Sequence, residues 1–592
     1  MKNEPINFTS IFNLVLEKKS SLVSGQFITL LAILVSVPIP LMLPVMVDEV
    51  LLDKPAYLVH AIDTFFTGAN AFIYIGIITL VVILLRLIYY VLGVITTKIF
   101  TKIAKYVTFM IRKRLLAHLE IASMNEYELL GSGAITSNLI TDVNTLDTFL
   151  LSSASKFVSS ILTLLAVGIV MLMMDPILGI LILIVQPLIM LVSKKMSRQT
   201  GALKREENQA IEQFQESVSE TLELYGQIKA SNKESYFFKE ALAKANTIQE
   251  TSNAYGYKSV AYERLSYTIF LSVFELIRAS GLLLVAYSDL SIGMMFAMFG
   301  YIWFIMTPVQ DILSMQYSYA SAKAALERLN KILLLQVEKS GDKEILRQTN
   351  QGVDIELRDV SFGYTQEKFV LQNISLSIPS GAKVALIGAS GSGKTTLAQI
   401  IAGFYAKSSG MQSYNGITIE ELDKHSLRKE IFLVLQMPLL FNASLRFNLS
   451  LGDERISDEA IHNALAIAQL TPLINEMKDG LDSIVGRHGI RLSGGQRQRI
   501  SIARMILANP SVVIFDESTS ALDVHTEVAL QSALVAVLQD KTVITIAHRL
   551  STVKNADSIY VLENGKIVQS GTHKELEEEE GHYLEFVKRQ LL

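Results

Sequence analysis

Val384-Ala385-Leu386-Ile387-Gly388-Ala389-Ser390-Gly391-Ser392-Gly393-Lys394-Thr395 is the stretch that decides how the second half of this chain folds. Four apolar residues form a buried strand. They run directly into a glycine-rich loop and then a helix from Thr395 to Phe404. Strand, loop and helix in that order are the setting in which G-x-x-x-x-G-K-T binds phosphate. Glycines let backbone N–H groups close around phosphate oxygens, and the helix N-terminus adds positive potential. Gly388, Ser390, Gly391, Ser392 and Gly393 are then the cradle, and Lys394 reaches the β- and γ-phosphates of a nucleotide. The Thr395 hydroxyl binds Mg²⁺, and Thr396 adds a phosphate contact.

Further along, Ser511–Phe515 (SVVIF) is an apolar strand ending in Asp516-Glu517. Asp516 is placed to hold the Mg²⁺ shell, and Glu517 to orient and activate the attacking water as general base. Phosphoryl transfer needs little covalent help, so positioning and charge neutralisation carry most of it. Val543–Ile546 is another buried strand, followed by His548, and Ile431–Leu435 is a strand followed by Gln436. Between them stands Leu492-Ser493-Gly494-Gly495-Gln496.

This ordered set resembles the ATP-binding cassette of ABC transporters, whose signature is LSGGQ. The resemblance implies that Ser493, Gly494, Gly495 and Gln496 read the γ-phosphate of a nucleotide held by a second cassette. It implies that Tyr364 stacks on adenine, that Gln436 touches Mg²⁺ or the attacking water, and that His548 is a switch contacting the γ-phosphate. Asp523, in Ser520-Ala521-Leu522-Asp523, belongs to the loop that crosses to the partner. Catalysis is thereby assigned to Glu517, His548, Gln436 and Lys394, with Thr395, Gln436 and Asp516 at the metal. One segment departs from the exporter pattern TEVGERG: Ser483-Ile484-Val485-Gly486-Arg487-His488-Gly489 keeps the glycines but carries Ile484 and Arg487 at the two acidic positions. Coupling through different pairings is expected there.

The first half is a different solvent problem. A hydrocarbon core of ~30 Å needs roughly 20 apolar residues as a helix. Six runs qualify, at 22–47, 71–96, 157–174, 176–193, 266–287 and 291–312. Asp175-Pro176 and Ser288-Asp289 leave room only for tight turns. Lys and Arg concentrate between runs two and three and between runs four and five, so those connections and the N-terminus are expected in the cytoplasm. The connections, ~60 and ~70 residues of helical spacing, are too long to be structureless. Spans two to five are therefore expected to continue as helices, turning near Ser137–Leu150 and Leu222–Asn232 against the ATPase. The first run is too long, and too rich in Pro38, Pro40 and Pro44, for a cleaved signal peptide. Residues 7–19 read as an amphipathic helix at the inner surface.

Among the few charges within the spans are Arg86, Glu275 and Arg278. Glu275 and Arg278 share a helix face, which suits a structural ion pair or a lining for substrate. Met294, Met295, Met298 and Met306 suit packing or an adaptable cavity wall.

The 592 residues contain no cysteine, which excludes disulfides and thiolate chemistry, and the net charge of −4 comes with no basic tract for nucleic acid. The expected fold is a membrane α-helical bundle of six spans with long cytoplasmic extensions (1–335), a linker (336–352) and an α/β P-loop ATP-binding cassette (353–592). It resembles an exporter-type ABC half-transporter. That resemblance implies a homodimer in the lipid bilayer of a bacterial cytoplasmic membrane, using ATP and Mg²⁺. The expected activity is export or leaflet flipping of an amphipathic lipid, drug or peptide. An exporter-shaped importer and a nucleotide-gated channel or regulatory membrane protein are the alternatives.

Overall fold

The structure is a computed structural model. It describes residues 4–591 except 56, 66–69, 346–351, 366–367, 437, 487–489, 491, 517–522 and 548. The chain divides into two compact units, 1–117 with 133–334, and 118–132 with 335–592.

Among the described residues, the first unit has six helices long and apolar enough to cross a membrane. The first apolar run is shorter as a helix than its sequence suggests. Lys19–Ser36 is regular, and the chain then turns through Val37–Leu41 and widens into a π-helical turn at Val45–Leu51. Pro38, Pro40 and Pro44 lack the N–H groups that would carry the helix on. Asp48 in this turn accepts hydrogen bonds from Ser291 Oγ and, at 2.9 Å, from the Gly293 N–H, capping the start of the sixth span.

The later spans are long. Ala71–Glu120, Pro176–Glu223, Glu234–Tyr287 and Ile292–Leu333 have 50, 48, 54 and 42 residues. At 1.5 Å per residue each exceeds ~60 Å, about twice the hydrocarbon thickness. Asp175 and Pro176 make the tight turn between spans three and four: Asp175 Oδ1 accepts from the Leu178 N–H at 2.7 Å, and proline takes the first helical position. Val167, Met171, Leu178, Ile182, Met298 and Tyr301 form part of the bundle core.

One expectation needs correction. The turn read near Ser137–Leu150 is continuous helical structure instead. Val143 and Leu146 are fully buried, Asp142 takes a forked pair of hydrogen bonds from Arg328, and Lys105 pairs with Asp147 at 2.5 Å. The chain actually reverses at 121–131, through the short helix Met124–Leu130 and Gly131 at φ 77°. The second turn stands where the sequence placed it, as the short helix Tyr225–Ala230. The N-terminal helix also forms, at Phe8–Leu16, but it is seated on the helix extensions. Ile6 exchanges two backbone bonds with the Asn330 amide, and Phe8 stacks on Tyr319 at 4.7 Å.

The second unit is α/β. Its six-stranded sheet has the order Lys566–Gly571, Ser558–Glu563, Lys383–Gly388, Thr542–Ile546, Val512–Asp516, Ile431–Val434, with only the first pair antiparallel. A four-stranded antiparallel sheet contains Ile355–Phe362, Leu371–Ile378, Ser409–Tyr414 and Ile417–Thr418. The central strands are buried on both faces, so they read as unbroken apolar runs rather than alternating ones. A helical group around Gly494–Ala508 has its own core of Leu449, Ile461, Leu465 and Ile500.

Candidate functional site

Strand register gathers the site. Ile546 lies opposite both Leu386 and Asp516, so three parallel strands end at one level. The glycine loop therefore starts beside the ends of the Asp516 and Ile546 strands at the carboxyl edge, where open parallel sheets bind ligands.

The loop's shape depends on its glycines. Gly388, Gly391 and Gly393 have φ of 152°, 80° and 100°. At Gly388 a Cβ would stand 2.1 Å from the Leu562 carbonyl oxygen, a backbone atom of the neighbouring strand. Gly388→Ala is therefore expected to abolish nucleotide binding and to lower the melting temperature of the cassette. Wild-type ATP affinity in that variant would remove this loop from the site.

Lys394 is buried at 6% exposure, and its Nζ donates to the carbonyls of Gly388 at 3.0 Å and Ala389 at 2.8 Å. An ammonium is thus held inside the loop. The Ser392 hydroxyl is buried beside it with no hydrogen-bond partner among the described residues. A buried hydroxyl left unpaired is costly, and a phosphate oxygen would satisfy it. Thr395 Oγ1 donates to Asp516 Oδ1 at 3.3 Å. A hydroxyl beside a buried carboxylate is the hard oxygen donor set that Mg²⁺ takes together with nucleotide phosphate. The residues present fit a nucleotide triphosphate and its cation. Ser390 is exposed on the loop.

Tyr364 sits in a three-ring cluster, edge-on to Phe362 at 5.1 Å and Tyr405 at 5.4 Å. Its hydroxyl is 3.2 Å from Thr396 Oγ1, which fixes the ring to the loop's helix Lys394–Ile401. Ser493 is the N-cap of Gly494–Ala508: its Oγ accepts from the Gln496 N–H at 3.2 Å, and Gln496 Oε1 accepts from the Ser493 N–H at 2.7 Å. This capping box orients the helix start, which Gly494 and Gly495 keep free of bulk. Among the described residues, no side-chain bond from Ser493 or Gln496 reaches the glycine loop of the same chain. Asp523 caps Val524–Leu538, accepting from the Thr526 N–H at 2.9 Å, and bonding to Thr526 holds its carboxyl below the usual range. Glu517, His548 and Ser520-Ala521-Leu522 lie outside the described residues.

The sequence reading missed two connections. Gln436 is exposed, but its backbone carbonyl accepts from Gln498 Nε2 at 3.0 Å, and Gln498 is buried on the helix that Ser493 caps. An amide on the inward stripe Gly495, Gln498, Ile502, Met505 was the available signal. The other connection ties the Met124–Leu130 helix to the aromatic cluster. Glu128 accepts from the Tyr405 hydroxyl at 2.7 Å, Asn125 Nδ2 reaches the Tyr364 carbonyl at 3.5 Å, and Ser123 N–H donates to the Gln336 carbonyl at 2.8 Å. Burial, and then the Glu128 carboxylate, push the Tyr405 phenol above its usual range.

Comparisons with known proteins agree with this geometry. Residues 371–520 match the family model described as ABC transporter, and 41–309 match the ABC transporter transmembrane region. The chain is 31% identical to the uncharacterized ABC transporter ATP-binding protein YfiC of Bacillus subtilis over 82% of this chain and 81% of that one. The chain belongs to the ABC transporter family.

This ABC transporter is also 31% identical to an ATP-dependent lipid A-core flippase of Legionella pneumophila, over 83% of each chain. It is 30% identical to YgaD of Bacillus subtilis, provisionally named a multidrug export ATP-binding/permease protein, over 81% of this chain and 83% of that one. The solved structure of a bacterial Atm1-family ABC exporter with ATP bound superposes with a TM-score of 0.78 at 23% identity, covering 97% of this chain and 98% of that one. The transporter thus has an exporter-type fold, a membrane region with several spans fused to an ATPase that drives transport. In its departing segment Ile484 is half-exposed, and Gly486 is required: at φ 104°, a Cβ would stand 2.7 Å from the Phe441 carbonyl oxygen.

Proposed function

We propose that two copies of this transporter bind two ATP molecules with Mg²⁺ and use their hydrolysis to export, or flip between leaflets, an amphipathic molecule across a bacterial cytoplasmic membrane. The observation carrying this reading is the loop cradle. Lys394, the unpaired Ser392 hydroxyl and the Thr395–Asp516 pair are joined in one chain to six helices of membrane length. The lipid A-core flippase and multidrug export relatives support the substrate class at the level of an amphiphile.

In this mechanism bound nucleotide supplies the phosphoryl group and Mg²⁺ its charge neutralisation. Lys394 and Ser392 hold the phosphates, while Thr395 and Asp516 hold the cation. Glu517 takes a proton from water, and Ser493 to Gln496 close on the nucleotide of the partner copy. Tyr364 holds the base. Through Tyr405 and Glu128 the same aromatic cluster grips the helix Met124–Leu130, giving nucleotide occupancy a path toward the spans. Gln498 makes Gln436 and the signature helix move as one body.

Reconstituted into vesicles with ATP outside, the wild type is expected to move a fluorescent amphiphile inward in an ATP-dependent, vanadate-sensitive manner. Flux indifferent to hydrolysis would favour a channel and overturn the proposal. Gln498→Leu keeps the volume but removes the amide that donates to the Gln436 carbonyl. It is expected to lower substrate-stimulated ATPase by about 5- to 10-fold, the loss of a buried hydrogen bond, while ATP binding stays within about twofold. Unchanged stimulation would separate Gln498 from coupling.

A further inference from the structure

The fifth span carries an ion pair that the ATPase does not use. Glu275 and Arg278 bond to each other, and each side chain is 53% exposed. The opposite face of the same helix is the packed one, with Phe270, Ile277 and Gly281 buried. Glu275 stands 12 residues before the helix end at Tyr287, about 18 Å along the axis at 1.5 Å per residue. That is close to the middle of a ~30 Å hydrocarbon layer. A charged pair at that depth does not face lipid without heavy cost; such groups face a water-filled cavity or protein.

The seam between the fifth and sixth spans is aromatic. Trp303 of the sixth span is 48% exposed, and its ring lies 5.4 Å from Phe270 and 6.1 Å from Phe274. Thr307 and Gln310 continue the same exposed face. The two spans are tightly joined at the level of Arg278: a Cβ on Gly281 would stand 3.1 Å from the Phe299 ring. This stretch of the fifth span therefore offers an anion and a cation side by side near mid-membrane depth.

We propose that this stretch is the headgroup site for the transported molecule, and that the molecule is a zwitterionic amphiphile carrying a phosphate and an ammonium a few ångströms apart. This rests on the export reading above and narrows its substrate. The argument is charge complementarity. When the site is empty, Glu275 and Arg278 neutralise each other. A zwitterion replaces that pair with two new ones, ammonium to Glu275 and phosphate to Arg278, so no charge is left uncompensated in either state. A purely anionic or purely cationic headgroup strands one member of the pair, the costly outcome for a charge away from water.

The test uses full-length protein in nanodiscs and three probes of equal chain length: an alkyl phosphoethanolamine, an alkyl phosphate and an alkylammonium. ATPase stimulation and vesicle transport are read for each. The wild type is expected to respond to the zwitterion at a half-maximal concentration at least about 10-fold below either single-charge probe, the scale of one charge-assisted hydrogen bond. Glu275→Gln should shift preference to the phosphate and Arg278→Gln to the ammonium. The double exchange Glu275→Arg with Arg278→Glu should retain the zwitterion response, which a merely structural pair would not predict. The chain has no cysteine. Ala279 is exposed and one helical turn from Glu275, so Ala279→Cys gives a clean accessibility readout. Its modification by a charged thiol reagent should be rapid and slowed by the zwitterion. An unreactive Ala279→Cys, as expected if a second copy covers this face, overturns the proposal. So does a probe preference unchanged by both neutral variants. Transport that persists with such indifference leaves the export reading standing, whereas transport of none of the three probes removes the export reading itself.

Discussion

Lys394→Ala is expected to reduce ATP hydrolysis by about 10²- to 10³-fold, the scale for removing one preorganised donor from a charge-developing centre. The buried ammonium is the main fixed positive charge that this loop contributes. In the structure it is held by the carbonyls of Gly388 and Ala389. Those bonds keep the charge at the mouth of the cradle before any ligand arrives, so little reorganisation is needed when phosphate enters. Alanine removes the charge and leaves two carbonyls facing the place where phosphate belongs. Affinity should therefore fall together with turnover. The loop's backbone should persist, because its path is set by glycines and by the Gly565 N–H bond to the Ser392 carbonyl at 3.2 Å. The unfolding temperature is expected to stay near the wild-type value. Phosphate release at saturating ATP, with nucleotide binding followed separately, checks both parts. Turnover within about tenfold of wild type, well short of that scale, would dismiss Lys394 from the chemistry.

Why the sequence reveals this loop and hides other features is a matter of range. Residues 384–395 are a local device in which strand, turn and helix positions are fixed by spacing alone, and the structure has Lys383–Gly388 followed by Lys394–Ile401. Span count is local in the same sense, because each helix must be apolar over its own length. The first reversal was misplaced because its cause is not local. The sequence reading put the turn near Ser137–Leu150, whereas it ends at Gly131. What keeps the following segment helical is Asp142 meeting Arg328, 186 positions away. No periodicity within 137–150 encodes that partner. The Gln498 bond to Gln436 spans 62 positions, and the bond between Glu128 and Tyr405 spans 277. Such links are invisible until the chain is folded, although a glutamine on a buried helical stripe is a hint. The seating of the N-terminal helix on Asn330 and Tyr319 is the same kind of fact: the amphipathic pattern is legible, and the surface that receives it is not.

Glu517→Gln is expected to separate binding from hydrolysis. In the sequence Glu517 directly follows Asp516, whose strand is in register with Ile546, and Ile546 with Leu386 just before the glycine loop. A carboxylate there can accept a proton from water, whereas the isosteric amide keeps volume and polarity but not basicity. General-base contributions of about 10²- to 10⁴-fold set the expected loss of turnover. ATP affinity should be retained, since Lys394, Ser392, Thr395 and Asp516 are untouched, and this contrasts with Lys394→Ala. Because ATP that is bound but not cleaved favours the closed state by its full differential affinity, this variant should accumulate as an ATP-trapped dimer. Size analysis with and without ATP and Mg²⁺ reads that directly. The trap also reports on the spans. If closure of the cassettes moves the wall bearing Glu275 and Arg278, then Ala279→Cys in a Glu517→Gln background should change its reactivity toward a charged thiol reagent when ATP is added, and should not do so when Lys394 is replaced as well. A trapped dimer whose cysteine reactivity ignores ATP would show cassette closure intact but uncoupled from that wall.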